Sequence, residues 1–343
     1  MTQPTAKSPS ISRRTLLRGA SALAVGAPFA YGLVPVPSFA QGSKFRKINV
    51  GWTGSSICHN AIPVAVHKEF FQKHGLEPDL LSFSGGNDAV LEALSSGKID
   101  TTAGFILRLL KPLEQGANIR FTGSVHGGCI RVVAAEGTPE VDYASLKGKS
   151  IGVTSLGSPG KNFLSVQLHK AGINPQNEVE WRVYPVDLFA EAIRKGEIQA
   201  AVDADPGTFL VLKNNAGYLK EIGGLQTGIY SGLSCCGVVV SKVFGETRRE
   251  DATAATRALT EAAQWMSENP DEASQIAQKY SPHPAALLAE VIRSHRHDVN
   301  YNGGKRLVDE IAIYASDLRD VGIIRKRTDP VDLAKRATLE LFA

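Results

Sequence analysis

From Ile48 onward, short apolar runs at strand spacing alternate with stretches whose apolar positions recur every three to four residues. That alternation predicts an α/β protein rather than an all-helical or all-strand one. Strands are expected over residues 48–51, 80–83, 101–103, 119–124 and 130–135, with helices over 61–73, 87–95 and 105–114 between them. A charged turn at 146–149 opens a second series, with strands over 150–153, 179–183 and 200–202 and helices over 160–171 and 188–194. After a strand over 235–241 the pattern turns helical, over 248–268, 271–280, 284–295 and 305–320. Pro270 separates two of these helices, and Asn302-Gly303-Gly304 forms a turn.

The two series repeat each other. Residues 93–103 (ALSSGKIDTTA) and 192–202 (AIRKGEIQAAV) share a helix end, a glycine stop, an isoleucine and the start of a strand. Two lobes built alike are implied, which suits about 300 residues, roughly twice a common domain length.

The first 40 residues follow another grammar. Ser12-Arg13-Arg14-Thr15-Leu16-Leu17 is followed by an uncharged Ala/Gly/Val-rich stretch from Gly19 and by Ser38-Phe39-Ala40. A basic pair, a moderately apolar segment and a small-x-small cleavage site read as a twin-arginine export signal cut after Ala40. Pro28, Pro35 and Pro37 break the run, so it lacks the roughly 20 apolar residues of a membrane-spanning helix. No cysteine follows the cut site in a lipid-attachment pattern, so a soluble periplasmic product is expected.

Composition sharpens this. The chain carries 38 Lys and Arg against 34 Asp and Glu. Lys7, Arg13, Arg14 and Arg18 lie in the signal, which holds no acid, so the remainder is formally neutral. No basic stripe with interleaved aromatics is left to suggest a nucleic-acid partner.

Several blocks carry a resemblance. They are the extended segment 47–52, GLEPDL (75–80), SGGNDAVLEALSSGKID (84–100), YASLKGKSIGV (143–153) and AIRKGEIQAAV (192–202). Together with the signal they resemble the substrate-binding proteins of ABC importers, most of all the branch for nitrate, sulfonates, taurine and the thiamine-pyrimidine precursor. The resemblance spans about residues 48–341. It implies a two-lobed, type II Venus-flytrap fold with two crossover strands, placed at 130–136 and 235–241. Lobe I would then comprise 44–131 plus 237–343, and lobe II 132–236. It also implies a monomer that delivers a small ligand, such as a sulfonate, a pyrimidine or a nitrate-like anion, to an inner-membrane ABC permease.

In open α/β sheets ligands bind where strands run out into helix starts. Three such loops are polar and small: Ser55, Ser56, Cys58 and His59 after the first strand; Gly85, Gly86 and Asn87 before the second helix; and Ser155, Ser158 and Gly160 before the first helix of lobe II. Each is able to present N–H groups and hydroxyls to an anion, and each reads equally as an ordinary helix cap. Asp205, followed by Pro206, would overhang the same cleft as a carboxylate for a cationic group, or cap the helix behind it. Trp52 and Phe105, near strand ends, are candidates for stacking on a planar ligand or for the core.

Cys58, Cys129, Cys235 and Cys236 all map to the cleft loop or the crossovers, with His59 and His126 nearby. Three readings stay open. An oxidising compartment favours a disulfide from Cys129 to Cys235 or Cys236. The thiols could line the ligand cleft. Or Cys58, His59, Cys129 and Cys235 could hold a soft metal ion or metalloid, although the spacing matches no standard zinc pattern. Neighbouring strand residues face opposite ways, so only one of Cys235 and Cys236 is expected to point inward. Fungal enzymes that make the thiamine pyrimidine share the implied fold and carry a CCCFC run, where this chain has Ser234-Cys235-Cys236-Gly237-Val238. An iron enzyme of that kind and a sensor's binding module are therefore the alternatives to transport. No Ser/His/Asp or Cys/His motif context supports catalysis, so a non-enzymatic binder is expected. Beyond a possible soft metal ion, no cofactor is expected.

Overall fold

A computed structural model describes residues 44–54, 56–297, 299 and 301–342. The expected export signal and Ser55 lie outside the described residues. Ten described strands, β1 (Arg46–Trp52), β2 (Leu76–Ser82), β3 (Thr101–Phe105), β4 (Ile119–His126), β5 (Ile130–Ala135), β6 (Ser150–Val153), β7 (Glu180–Val183), β8 (Ala200–Ala204), β9 (Leu219–Gly224) and β10 (Cys236–Ser241), form two sheets. The first has the order β2-β1-β3-β10-β4 and the second β7-β6-β8-β5-β9.

The two sheets share one plan. In each, the first strand pairs in parallel with the second and third, and a strand belonging to the other half of the chain is inserted antiparallel at the fourth place. β10 is the insert of the first sheet, facing β3 and β4, while β5 is the insert of the second, facing β8 and β9. The chain therefore crosses between lobes twice, at Gly127–Gly128 and again before β10. An inserted strand is covered on both faces, so it must be apolar throughout rather than alternating. β10 reads CGVVVS with every position buried, and each of Val238, Val239 and Val240 contributes about 1.5–3 kcal/mol by burial.

The repeated glycine-stop blocks end the helices Gly86–Ser95 and Phe189–Arg194 and lead into β3 and β8, at matching places in the two sheets. Helices Arg249–Glu268, Gly304–Asp320 and Pro330–Ala337 pack on the outer strand of the first sheet, β4. The C-terminal part of the chain thus returns to the first lobe. Gly304–Asp320 also touches Pro159–Lys170 of the second lobe, where Lys170 Nζ meets Asp317 Oδ2 at 2.9 Å.

Some expectations on the elements change. The single helix over 61–73 is two, Ala61–His67 and Phe70–Lys73, separated by Glu69 in a left-handed conformation (φ 57°). The break buries Phe71 completely while Lys68 reaches out to Glu272 at 3.0 Å. The helix over 248–268 begins after a separate turn of helix at Lys242–Thr247, capped by Ser241 Oγ, which accepts from Phe244 N–H at 3.2 Å. β9 and the helix Pro330–Ala337 come in addition, and the helix that the capping reading of Asp205 places behind Pro206 runs over Gly207–Asn214.

Candidate functional site

A cleft of about 330 Å³ opens between the carboxyl ends of the two sheets. The first lobe contributes Ser56, Asn87, Phe105 and Arg108, and the second contributes Thr154, Ser158 and Asp203. Phe105 ends β3, and Arg108 stands in the first turn of the helix Ile106–Glu114 that follows it. Its guanidinium pairs with Asp88 and lies 3.5 Å from the Gly157 carbonyl oxygen of the second lobe, both of which border a neighbouring groove. Ser56 Oγ is buried with no hydrogen-bond partner among the described residues. Ser158 caps the helix Pro159–Lys170, its Oγ accepting from Lys161 N–H at 3.1 Å, so the positive end of that helix faces the cleft.

Asp203 ends its buried run on β8 with its carboxylate at the cleft wall. Burial pushes its pKa above the usual value, and this outweighs the bonds from Thr154 and the Ala204 N–H and the pull of Arg108. The cleft therefore sets a guanidinium, a helix start and hydroxyls against a partly desolvated carboxylate. Such a site can hold a solute that carries both an anionic group and an N–H or O–H donor.

The remaining residues singled out from the sequence divide. Asp205 is not a cleft carboxylate, although its residue borders the cleft. Its side chain is fully buried and turned inward, taking Arg131 Nε at 3.0 and 2.9 Å, Thr208 Oγ1 at 2.9 Å and Phe209 N–H at 3.2 Å, with His295 Nε2 at 2.9 Å. Burial works to raise its pKa, but His295 and Arg131 hold it below the usual value. The helix-capping reading is the one its bond to Phe209 fits. Trp52 packs edge-on against Tyr280, ring centroids 5.2 Å apart, and is not among the residues lining the cleft. Gly85 and Gly86 form the start of the helix behind Asn87. Ser155 borders a neighbouring groove with Leu156 and Lys161.

Gly160 is required where it stands. A Cβ there would sit 2.9 Å from Asp203 Cα and 3.0 Å from the Val202 carbonyl oxygen, so only glycine lets this helix approach β8.

His59 is spent on the backbone. Its Nδ1 accepts from Thr53 N–H at 2.8 Å and its Nε2 faces the Ala103 carbonyl at 2.7 Å, which fixes a neutral ring. Burial, opposed by those two bonds, pushes its pKa down to about 4. With both nitrogens engaged it is not the ligand that its place beside Cys58 suggested.

The cysteines gather behind the cleft. Cys236 opens β10 directly opposite His126 of β4. Gly128, at φ 73° and pressed against Gln226, turns the chain back so that Cys129 enters the same space. Cys58 arrives on the short 3-10 turn Ile57–Asn60. The sulfurs of Cys58, Cys129 and Cys236 and a ring nitrogen of His126 all lie within 4.8 Å of one another. The disulfide joins Cys58 to Cys236, Cα–Cα 6.3 Å, in place of the expected bridge from Cys129. Cys235 precedes the strand, so strand alternation does not govern it. It is buried too, its Sγ 3.7 Å from that of Cys236, but it stands outside the four-donor group. None of these thiols is among the cleft-lining residues.

Sequence reasoning missed Arg108 and passed over Asp203 for Asp205. Arg108 reads as an ordinary cation of an amphipathic helix. The available signal was its place in the first turn after a strand end.

Two like-built α/β lobes around a cleft define a periplasmic-binding-protein fold. The chain belongs to the NMT1-like family, whose model matches residues 41–281. Among curated proteins, one provisionally named a binding protein in Brucella abortus is 34% identical over 140 residues, covering 40% of this chain and 41% of that relative's own length. One provisionally named a thiamine biosynthesis protein, from Haemophilus influenzae, is 25% identical over 74% of this chain and 79% of its own. Among solved structures, the periplasmic aliphatic sulphonate binding protein SsuA from Escherichia coli superposes with a TM-score of 0.69 at 16% identity, over 84% of this chain and 96% of its own. The periplasmic nitrate-binding protein NrtA from Synechocystis PCC 6803 does so at 0.69 and 13% identity, over 87% of each chain. The zinc-bound ligand binding component of an ABC-type import system from Staphylococcus aureus gives 0.62 at 15% identity, over 82% of this chain and 91% of its own.

Proposed function

We propose that this chain is the solute-binding component of an ABC import system, closing its lobes on a small solute that carries an anionic group and a hydrogen-bond donor. One observation carries the reading: Arg108 of the first lobe and Asp203 of the second face one cleft. Of the cleft-lining residues Arg108 comes from one lobe and Asp203 from the other, so a solute that uses both favours the closed state, and a permease can recognise that state. The sulphonate- and nitrate-binding neighbours support an anion at the Arg108 end. Phe105 at the wall suits the apolar body of an alkanesulfonate or a pyrimidine. The twin-arginine pattern supports export to the periplasm with cleavage after Ala40. No helix among the described residues is long and apolar enough to cross a membrane. The sulphonate- and nitrate-binding neighbours are binding proteins, which supports a binder rather than an enzyme.

Calorimetry of the mature chain against alkanesulfonates, taurine, nitrate and hydroxymethylated aminopyrimidines tests this. At least one class is expected to bind, with Arg108→Ala weakening it about 10- to 100-fold, the worth of hydrogen bonds to a charged group. Binding by none of them, or equal binding by the variant, would contradict it.

A further inference from the structure

The four-donor group behind the cleft is unlike the rest of the interior. Cys58, Cys129 and Cys236 are fully buried and His126 is 5% exposed. They come from four separate places in the chain: the turn after β1, the end of β4, the first crossover and the first residue of β10. Thiols alone would pass as small apolar side chains. His126 does not fit that description. Its Nδ1 lies 3.3 Å from the Gly127 carbonyl oxygen, the natural place for the ring proton. The lone pair is then left on Nε2, which is buried with no hydrogen-bond partner among the described residues. A buried acceptor without a donor is costly, and one nitrogen of this ring lies within 4.8 Å of all three sulfurs.

The spacing suits one ion. Zinc–sulfur bonds of about 2.3 Å and zinc–nitrogen bonds of about 2.0 Å place tetrahedral donors roughly 3.5–3.8 Å apart. Cys129 Sγ and Cys236 Sγ stand 3.8 Å apart, and all four donors fall within 4.8 Å, with Cys58 and Cys236 joined here as a disulfide that must be reduced before both can serve as thiolates. The ring is also held from outside. The hydrogen bond that orients a metal-binding histidine is the one from Nδ1 to the Gly127 carbonyl, and His295, itself fixed by Asp205 at 2.9 Å, stacks on the ring at 4.8 Å.

We propose that the reduced chain holds one tetrahedral zinc-like ion on Cys58, His126, Cys129 and Cys236, as a resident structural ion rather than the transported solute. Four protein donors leave no open coordination position, and none of them lines the cleft, as a closed structural site requires. The ion fastens both crossover segments to the first lobe at the point from which the second lobe must swing. Cys235 takes no part.

The test uses the full chain, reduced and kept free of oxygen, titrated with Co²⁺ and then with Zn²⁺. One cobalt per chain is expected, with the intense visible bands of a four-coordinate site and thiolate-to-cobalt charge transfer, displaced by one equivalent of zinc. His126→Ala should lower zinc affinity roughly 100-fold or more, and Cys235→Ala should leave it unchanged. No cobalt bands, a six-coordinate spectrum, undiminished binding by His126→Ala, or loss on Cys235→Ala would each overturn the proposal. Should His126→Ala fail to fold, the spectrum of the unaltered chain decides by itself. A chain that binds solute without an ion, or an ion without solute, separates this proposal from the importer reading.

Discussion

Glu114 accepts from the Arg325 backbone N–H at 2.9 Å, Arg325 Nε at 2.8 Å and Thr328 Oγ1 at 2.6 Å, with Lys111 Nζ at 2.9 Å. It joins the end of the helix that carries Arg108 to the loop before the C-terminal helix. Burial works to raise its pKa, but the bonds from Thr328, Arg325 and Lys111 prevail and hold it at about 2, below the ordinary 4.5. A depressed folded pKa means that the unfolded chain takes up the proton first as pH falls. The stabilisation is therefore complete above 4.5 and fades as pH drops through that value toward 2. Glu114→Gln is expected to cost about 2 kcal/mol at neutral pH and to flatten the pH dependence of urea unfolding in that window. An unchanged slope would contradict the assignment. At this scale the sequence was only half legible. Ser56, Asn87 and Ser158 were recognisable as cleft-lining positions because strand ends and helix starts advertise themselves in small polar residues, and Phe105 by its place at a strand end. Asp205 misled because a carboxylate before proline looks the same whether it faces solvent or, as here, Arg131 and His295, which lie 74 and 90 residues away.

The helix Pro159–Lys170 lies close enough to β8 that its second residue must be glycine, and this sets the distance between the capped helix start and Asp203. Gly160→Ala is expected to force that helix outward, costing about 1–3 kcal/mol as overpacking does, with a lower Tm and weaker solute binding. Wild-type stability and affinity together would show that the contact is not rigid. The alternation of strands and helices was legible because both follow simple periods, and the glycine-stop repeat already reported two like halves. β9 was not, because Leu219-Lys220-Glu221-Ile222-Gly223-Gly224 has few apolar positions and pairs along one side only, with β5. The break at Glu69 was hidden for another reason. The apolar period runs straight through it, and only tertiary contacts, Phe71 inward and Lys68 to Glu272, call for the turn.

In the whole molecule the lobes exchange strands, so the segments that join them are also core elements of both sheets. The Cys/His group and the Arg131, Asp205 and His295 network both lie at the short crossings. Side chains also bridge the lobes: Asn162 Nδ2 donates to the Leu107 carbonyl oxygen at 3.0 Å, and Lys170 pairs with Asp317. If the chain is exported already folded, as a twin-arginine signal implies, an ion can be taken up by reduced thiols before the oxidising compartment is reached. The central claim remains the closure of two lobes on a solute held between Arg108 and Asp203. Small-angle scattering on the mature chain, with and without a saturating concentration of the compound that calorimetry selects, tests it most directly. The account predicts a smaller radius of gyration on binding in the natural chain and no contraction in Arg108→Ala at the same concentration; an unchanged radius in the natural chain at saturation would contradict it.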